Sequence, residues 1–287
     1  MSQQQAHKGE PGPLTAEGWG AFFFQPIFVG SPLDKAAVGK LEGQRQTLAK
    51  ALDTEYKGHK VIVTRKGLIV IGEEDMARAA ELLNEIMATL LVRSIPVCAV
   101  REGELVKATI ALTNMEIESF GLYDTVRHRT PVERGDKATR FYPPKNIESM
   151  IRRAEVLTGD SNIRMDLLLL LEAYTQHQDS AYMQSFLFSW LAVERWLESS
   201  WQAYLQEQGI SASRQGALTD PTWTTDRILE VLNLCGRIDS TTYNKMIRFL
   251  HKRNEVLYTG AGVAGAESEA CFYLIFSLVR KTRLTSE

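Results

Sequence analysis

The second half of the chain has the hydrophobic spacing of amphipathic helices. From residue 146 onwards, apolar residues recur every three to four positions, and polar breaks at Gly159-Asp160-Ser161, Gly209 and Gly260 interrupt them. The predicted helices lie at 146–157, 162–177, 180–207, 224–235, 240–258 and 266–283. Residues 146–287 are therefore expected to form an all-α domain, with a polar loop at 209–223.

The first half mixes short apolar runs with one clear helical pattern, which predicts an α+β domain over 18–145. Its predicted elements are an irregular strand at 18–30, a mostly helical stretch at 32–55, a hairpin at 59–71, a helix at 76–93, and a hairpin joining VCAV (97–100) to LVKATIAL (105–112). The first hairpin is expected to turn at Lys66-Gly67. Residues 1–17 are predicted to be a disordered tail and 125–145 a linker.

Composition and charge narrow the possible functions. The net charge is −2, with 19 basic and 18 acidic residues before position 146 and 14 and 17 after it. Neither half is basic overall, so broad nucleic-acid binding through a positively charged body is not indicated. Cys98, Cys235 and Cys271 are far apart and the five histidines are scattered, so we expect no metal site and no cofactor. Without an apolar signal core or a membrane-length apolar run, the expected localisation is cytoplasmic.

The long third helix carries one charged residue on an otherwise apolar face. The face is formed by Met183, Leu187, Trp190, Glu194, Leu197 and Trp201, at steps of three and four. A carboxylate on a core-facing stripe is costly unless it is paired. Either this face borders a groove, or Glu194 meets a cation or backbone donors.

The fifth helix places several polar groups together near its end. Asn254 lies on the apolar face and Arg253 at its edge, while His251 and Tyr258 share a rim with Asn254 on successive turns. These four residues are candidate catalytic or binding groups, and Glu194 and the neighbouring Lys252 are candidate binding residues. The simpler interpretation is that Glu194 and Arg253 form a salt bridge that fixes helix packing.

The segment RNEVLYTG, from Arg253 to Gly260, resembles the Arg-Asn-x-x-x-His motif of the HEPN superfamily, often followed there by Thr-Gly. The stretches IRMDLLLLLEAYTQHQ, SFLFSWLAVERWLESSW, TDRILEVLN and ESEACFYLIFSLVRKT are similar to the family's other helices, in the expected order. The resemblance covers about the last 140 residues and is closest to prokaryotic defence and abortive-infection proteins. Tyr258 departs from the pattern, because it stands in the position of the motif His.

The resemblance implies a metal-independent ribonuclease in which Arg253 stabilises phosphate charge, Asn254 is the polar neighbour, and a His moves protons. Imidazole has an unperturbed pKa of about 6.5 and phenol of about 10, so Tyr258 is a poor base near neutral pH. His251 precedes the Arg but faces the same rim and is the other possible proton carrier.

Three hypotheses follow. The first is an endoribonuclease using Arg253 with Tyr258 or His251. The second is a non-enzymatic HEPN module that binds RNA, nucleotide or a protein partner, or holds a dimer together. The third is an unrelated helical interaction domain. The resemblance implies a homodimer, for which Trp196, Trp201 and Phe249 would be suitable contacts if they are exposed, and the N-terminal domain is expected to bind a trigger or partner protein.

Overall fold

A computed structural model describes residues 14–23, 27–41, 44–121, 140–220 and 222–283. The chain divides into two compact units, Met1–Leu157 and Thr158–Glu287. The first is rich in β-structure and the second is helical, so the predicted α+β part followed by a helical part is confirmed at that level. No helix in the described ranges combines the length and apolar character needed to cross a membrane.

The first unit is built on an antiparallel six-stranded sheet. Its strands are β1 (Thr15–Phe22), β3 (Lys50–Tyr56), β4 (His59–Thr64), β5 (Leu68–Ile71), β6 (Val106–Ala111) and β7 (Glu116–Phe120), in the order β3-β4-β5-β1-β6-β7. A separate parallel pair joins β2 (Ile27–Val29) to β8 (Arg140–Tyr142). Two short helices, α1 (Pro32–Val38) and α2 (Gln44–Leu48), precede β3.

Local turn chemistry explains the two adjacent hairpins. Lys57 and Gly58 both have positive φ, 48° and 80°, as a tight two-residue turn between β3 and β4 requires. The predicted hairpin at 59–71 is confirmed as β4 and β5, with Gly67 at φ 76° in its turn.

The carboxylate of Glu85, on α3 (Met76–Val92), is buried beneath the turn between β3 and β4 and has two partners there. The Nζ of Lys57 lies 2.6 Å from it, and the hydroxyl of Tyr56 donates a 2.6 Å hydrogen bond to it.

The second predicted hairpin is wrong. Residues 97–100 form no strand, and the side-chain amide of Asn84 holds the backbone of Val100 through hydrogen bonds of 2.7 and 2.9 Å. The hairpin at this point joins β6 to β7 instead. The prediction for 32–55 is also wrong in part, because its last residues, from Lys50, belong to β3.

The predicted helix at 76–93 is confirmed as α3 (Met76–Val92), which contacts β1. Asp75 caps it by accepting a hydrogen bond from the N–H of Arg78. The next helix, α4 (Pro144–Leu157), packs against α3 and β3. It therefore belongs to the first unit, and the domain boundary lies at 157/158 instead of at 145/146.

Two terminal predictions of the first domain fall partly outside the described residues. The predicted tail lies outside them except at its end, where β1 already begins at Thr15. Most of the predicted linker at 125–145 also lies outside, and its described end instead forms β8 and the start of α4.

The second unit consists of six described helices: α5 (Ser161–Gln178), α6 (Tyr182–Glu207), α7 (Ala212–Leu218), α8 (Thr225–Leu234), α9 (Ser240–Thr259) and α10 (Gly265–Arg283). The five long helices predicted after residue 160 are confirmed to within a few residues. The predicted loop at 209–223 is wrong in part, because α7 forms inside it. Helix α6 is central and contacts α5, α8, α9 and α10.

Capping residues set both ends of α9. Asp239 accepts hydrogen bonds from the backbone N–H and the hydroxyl of Thr242, at 2.9 and 2.8 Å, and these bonds lower the pKa of its carboxyl. At the other end Gly260 adopts φ 69°, a left-handed conformation that favours glycine. The caps place the Arg-Asn motif in the last two turns of the helix.

Candidate functional site

Arg253 contacts polar groups of its own chain. Its Nη2 donates a 3.1 Å hydrogen bond to Oε1 of Glu194 on α6, and its Nη1 donates a 2.9 Å bond to Oδ1 of Asn254. The side chains of Arg253 and Glu194 are 29% and 22% exposed. Glu194 on the apolar stripe of α6 is therefore paired with a cation. The other possibility in the sequence was that this face borders a groove.

Glu194 lies between buried residues of the apolar stripe of α6. Trp190, one turn earlier, is 2% exposed, and Leu197 on the next turn is 1% exposed. Phe249 of α9 packs edge-on to Phe186 of α6, with ring centroids 6.1 Å apart. The aromatic contact and the ion pair hold α9 against α6 at two points along its length.

The structure leaves His251 and Tyr258 at the surface. Tyr258 is 82% exposed and His251 is also exposed, and within the described residues neither side chain forms a hydrogen bond or an ion pair. Leu257, which precedes Tyr258 within the motif, is 54% exposed. Of the four residues that the sequence groups together, Arg253 and Asn254 are bonded to each other, whereas the two proton-carrying candidates remain open to solvent.

Lys252 ties α9 to the start of α10. Its Nζ lies 3.3 Å from Glu255 and 3.7 Å from Glu267, and its side chain is 19% exposed. The carboxylate of Glu267 also accepts a 2.9 Å hydrogen bond from the backbone N–H of Ala264. Lys252 therefore has a structural role in this chain, because both neighbouring carboxylates already neutralise it.

The aromatic residues that would suit a dimer surface if exposed are buried, so the condition for that role is not met. Trp196, Trp201 and Phe249 are 6%, 3% and 2% exposed. The indole N–H of Trp196 donates to the hydroxyl of Thr282, and that of Trp201 donates to the carbonyl of Leu218. The apolar groups that remain exposed near the motif are Leu257 and Tyr258.

A second ion pair on α6 was not anticipated. Arg195, next to Glu194 in sequence, donates a 2.9 Å hydrogen bond from Nε to the buried carboxylate of Asp166 on α5. The adjacent residues of α6 thus anchor helices on two sides. The sequence signal was present, because Asp166 precedes the uninterrupted apolar run of α5 and a carboxylate there needs a partner.

Candidate ligands for metals or cofactors are few. Among the described residues, no group of three or more His, Cys, Asp or Glu side chains is placed to hold a metal ion. The three cysteines are free thiols; Cys98 and Cys271 are buried and Cys235 is exposed. Burial raises the pKa of the Cys271 thiol far above its ordinary value. The side chains near the end of α9 supply a guanidinium, an amide, a phenol and an imidazole.

Comparison of the chain with models of protein families, with curated proteins and with solved structures gives no match. The arguments that follow depend on the residues and their geometry alone.

Proposed function

We propose that the helical unit is a HEPN-like binding and dimerisation module, associated with RNA in a prokaryotic defence or stress system, in which the degenerate Arg-Asn-x-x-x-Tyr motif is structural instead of catalytic. One observation carries this proposal. The guanidinium of Arg253 is bonded to Glu194 and Asn254 of its own chain. An arginine that stabilises a phosphate in a transition state must offer its donors to that phosphate, and here two of its five N–H donors, one on each terminal nitrogen, are engaged within the chain.

The chemistry of the motif supports the same conclusion. A general base works best when its pKa lies near the operating pH, and a phenol with a pKa of about 10 is mostly protonated at pH 7. Tyr258 can donate a hydrogen bond but is a weak acceptor of the 2′-hydroxyl proton. A protein that retains the fold but lacks the His would keep binding and lose cleavage.

The proposed partner surface is the end of α9. Leu257 and Tyr258 are consecutive residues of its last turn, and both large side chains are exposed. In a twofold-symmetric dimer the same surface of each chain meets its own copy, so exposed apolar residues become mutually buried. The buried free thiols Cys98 and Cys271 fit a cytoplasmic, reducing location, which is part of this proposal.

Sedimentation velocity tests the dimer. Leu257→Asp and Tyr258→Asp place a carboxylate on the proposed surface, and because both positions are exposed the folded monomer is expected to survive. Leu234→Asp is the matched control, since Leu234 is 75% exposed at the end of α8. We expect the wild type and the control to sediment as dimers and the two α9 variants as monomers. The proposal is contradicted if the wild type is a monomer, or if the wild type and all three variants sediment as dimers.

RNA incubation in EDTA separates binding from cleavage. We expect the wild type to bind a mixed RNA pool and leave it intact, as judged by gel analysis. Arg253→Ala and Arg253→Lys are compared after circular dichroism has shown that each is folded. Cleavage by the wild type that disappears in both variants would refute the non-catalytic module.

The endoribonuclease remains the second candidate, because the Arg253 side chain is still 29% exposed and His251 and Tyr258 are open to solvent on the same helix. If cleavage is found, His251→Ala and Tyr258→Phe identify the group that moves the proton. If His251→Ala loses cleavage and Tyr258→Phe keeps it, the imidazole moves the proton. If Tyr258→Phe loses cleavage and His251→Ala keeps it, the phenol does.

A further inference from the structure

Helix α9 is strongly basic within a slightly acidic protein. It contains four basic residues, Lys245, Arg248, Lys252 and Arg253, and one acidic residue, Glu255, which gives a helix charge of +3, whereas the whole chain carries −2. A local concentration of positive charge on one helix attracts polyanions even when the protein as a whole does not.

The chain neutralises two of these cations and leaves two free. Lys252 faces Glu255 and Glu267, and Arg253 faces Glu194. Lys245 and Arg248 are exposed, and in the described part of the chain neither has a carboxylate within ion-pair distance. The guanidinium carbon of Arg248 lies 5.0 Å from the centroid of the Phe249 ring, a cation–π contact, and the residue remains exposed.

The free cations lie on one surface together with two neutral polar side chains. Asn244, Lys245, Arg248 and His251 are all exposed. Each of the other three is three or four residues from Arg248, so each is its neighbour on the helix surface. At 1.5 Å per residue, Lys245 and His251 are about 9 Å apart along the axis. A nucleic-acid strand in a helix presents one phosphate per about 3.4 Å of axis, so this surface spans two to three phosphates.

We propose that this surface, Asn244, Lys245, Arg248 and His251, is the binding site for the phosphate backbone of RNA; we call it the α9 basic face. The proposal rests on the RNA association proposed above and assigns it to a surface that does not include Arg253. Lysine, arginine and asparagine are common donors to phosphate oxygens, and an imidazole can stack on an adjacent base. RNA fits better than an acidic protein segment, because only a nucleic acid offers both phosphates for the cations and bases for His251.

A charge-reversal variant with a matched control tests the assignment. Lys245→Glu together with Arg248→Glu reverses both free cations. Lys40→Glu together with Arg214→Glu makes the same change in net charge at two exposed positions without an ion pair in the described residues. Fluorescence anisotropy measures the binding of a labelled single-stranded RNA of about 20 nucleotides, at salt concentrations of about 50 to 200 mM.

We expect the α9 double variant to bind at least about tenfold more weakly, while the control changes less than about twofold. The milder pair Lys245→Ala and Arg248→Ala should lower the slope of log affinity against log salt by about 1.4, the value for two phosphate contacts on a single strand.

Each other outcome has a defined meaning. If the wild type binds RNA and the α9 double variant keeps both the affinity and the salt slope, the α9 basic face is refuted while the proposed RNA association stands. If the wild type binds no RNA, both fail. Polyglutamate serves as a competitor, and displacement of RNA by it at equal charge concentration would overturn the assignment to nucleic acid in favour of an acidic protein.

Discussion

The ion pair between Glu194 and Arg253 should stabilise the helical unit measurably, and a double-mutant cycle gives the size of that contribution. Fully exposed ion pairs contribute about 0.2–1 kcal/mol, whereas breaking a fully buried pair costs about 3–5 kcal/mol. Both side chains here are about a quarter exposed, and the bond is 3.1 Å long. We therefore expect Arg253→Ala to cost about 2 kcal/mol, which is typical of a hydrogen bond to a charged group.

Glu194→Ala should cost less, about 1.5 kcal/mol, because Arg253 keeps its hydrogen bond to Asn254 and part of its hydration. The double variant removes both charges, so no partly buried charge is left without its partner. Its cost should therefore fall short of the sum of the single variants by about 1 kcal/mol. This difference is the coupling energy of the pair.

Urea unfolding followed by tryptophan fluorescence is a suitable assay. Four of the five tryptophans lie in the helical unit, so the signal reports mainly on that unit; they are Trp190, Trp196, Trp201 and Trp223. Lys245→Ala combined with Glu194→Ala is the control cycle, since Lys245 is an exposed cation on the same helix without an ion-pair partner in the described residues. A coupling energy for Glu194 and Arg253 below about 0.3 kcal/mol, equal to that of the control, would refute the structural role of Arg253.

Three further predictions follow from the remaining buried and titrating groups. Glu85→Ala should destabilise the first unit by about 3 kcal/mol in thermal unfolding, because it leaves the buried hydroxyl of Tyr56 without its acceptor. Native protein treated with Ellman's reagent should react rapidly at the exposed thiol of Cys235 and not at Cys271, whose burial raises its pKa; three fast thiols would contradict the structure. Asp239 has a lowered pKa, so its stabilisation of α9 is present above the unfolded-state pKa of about 3.9 and is lost as the pH falls through the folded value. The urea midpoint of the wild type should therefore fall more than that of Asp239→Asn between about pH 6 and about pH 3.

The helical unit was predictable because its helices are long and strongly periodic. The exception, α7, has seven residues and none of them is buried, so it leaves no apolar period in the sequence. Its existence depends on contacts that a local pattern does not contain. The indole of Trp201, for example, bonds to the carbonyl of Leu218 at the end of α7.

The sheet was harder to predict because its pairing is not local. Strand β1 lies in the middle and pairs with β5 and β6, which follow it by more than 40 residues. In β3 the buried residues are Leu52 and Tyr56, four positions apart. That spacing fits both a helix face and alternate positions of a strand, which explains why the segment was interpreted as a helix.

At the candidate site, the sequence identified the residues and offered Arg253 as a partner of Glu194, but it could not decide between that pair and a groove. Glu194 on an apolar stripe required compensation, and the pattern left open whether a groove or a cation supplied it. The cation is 59 residues away and reaches Glu194 only through the packing of α9 on α6. Whether an aromatic residue is exposed also depends on how the helices pack. A helical wheel of one helix therefore could not show that Trp196 and Phe249 are buried.

The proposals assign three roles to separate parts of α9, whereas a single active site would have to combine them. Arg253 faces its own bundle, whereas Arg248 is rotated from it by about 140° and faces solvent. Leu257 and Tyr258 occupy the last turn of the same helix. If the proposals hold, Arg253→Ala should change unfolding, Leu257→Asp should change sedimentation, and the reversal at Lys245 and Arg248 should change the salt dependence of RNA binding, each with little effect on the other two measurements. A composite catalytic site predicts the opposite, because loss of Arg253, of the dimer or of RNA contacts would then abolish one shared activity.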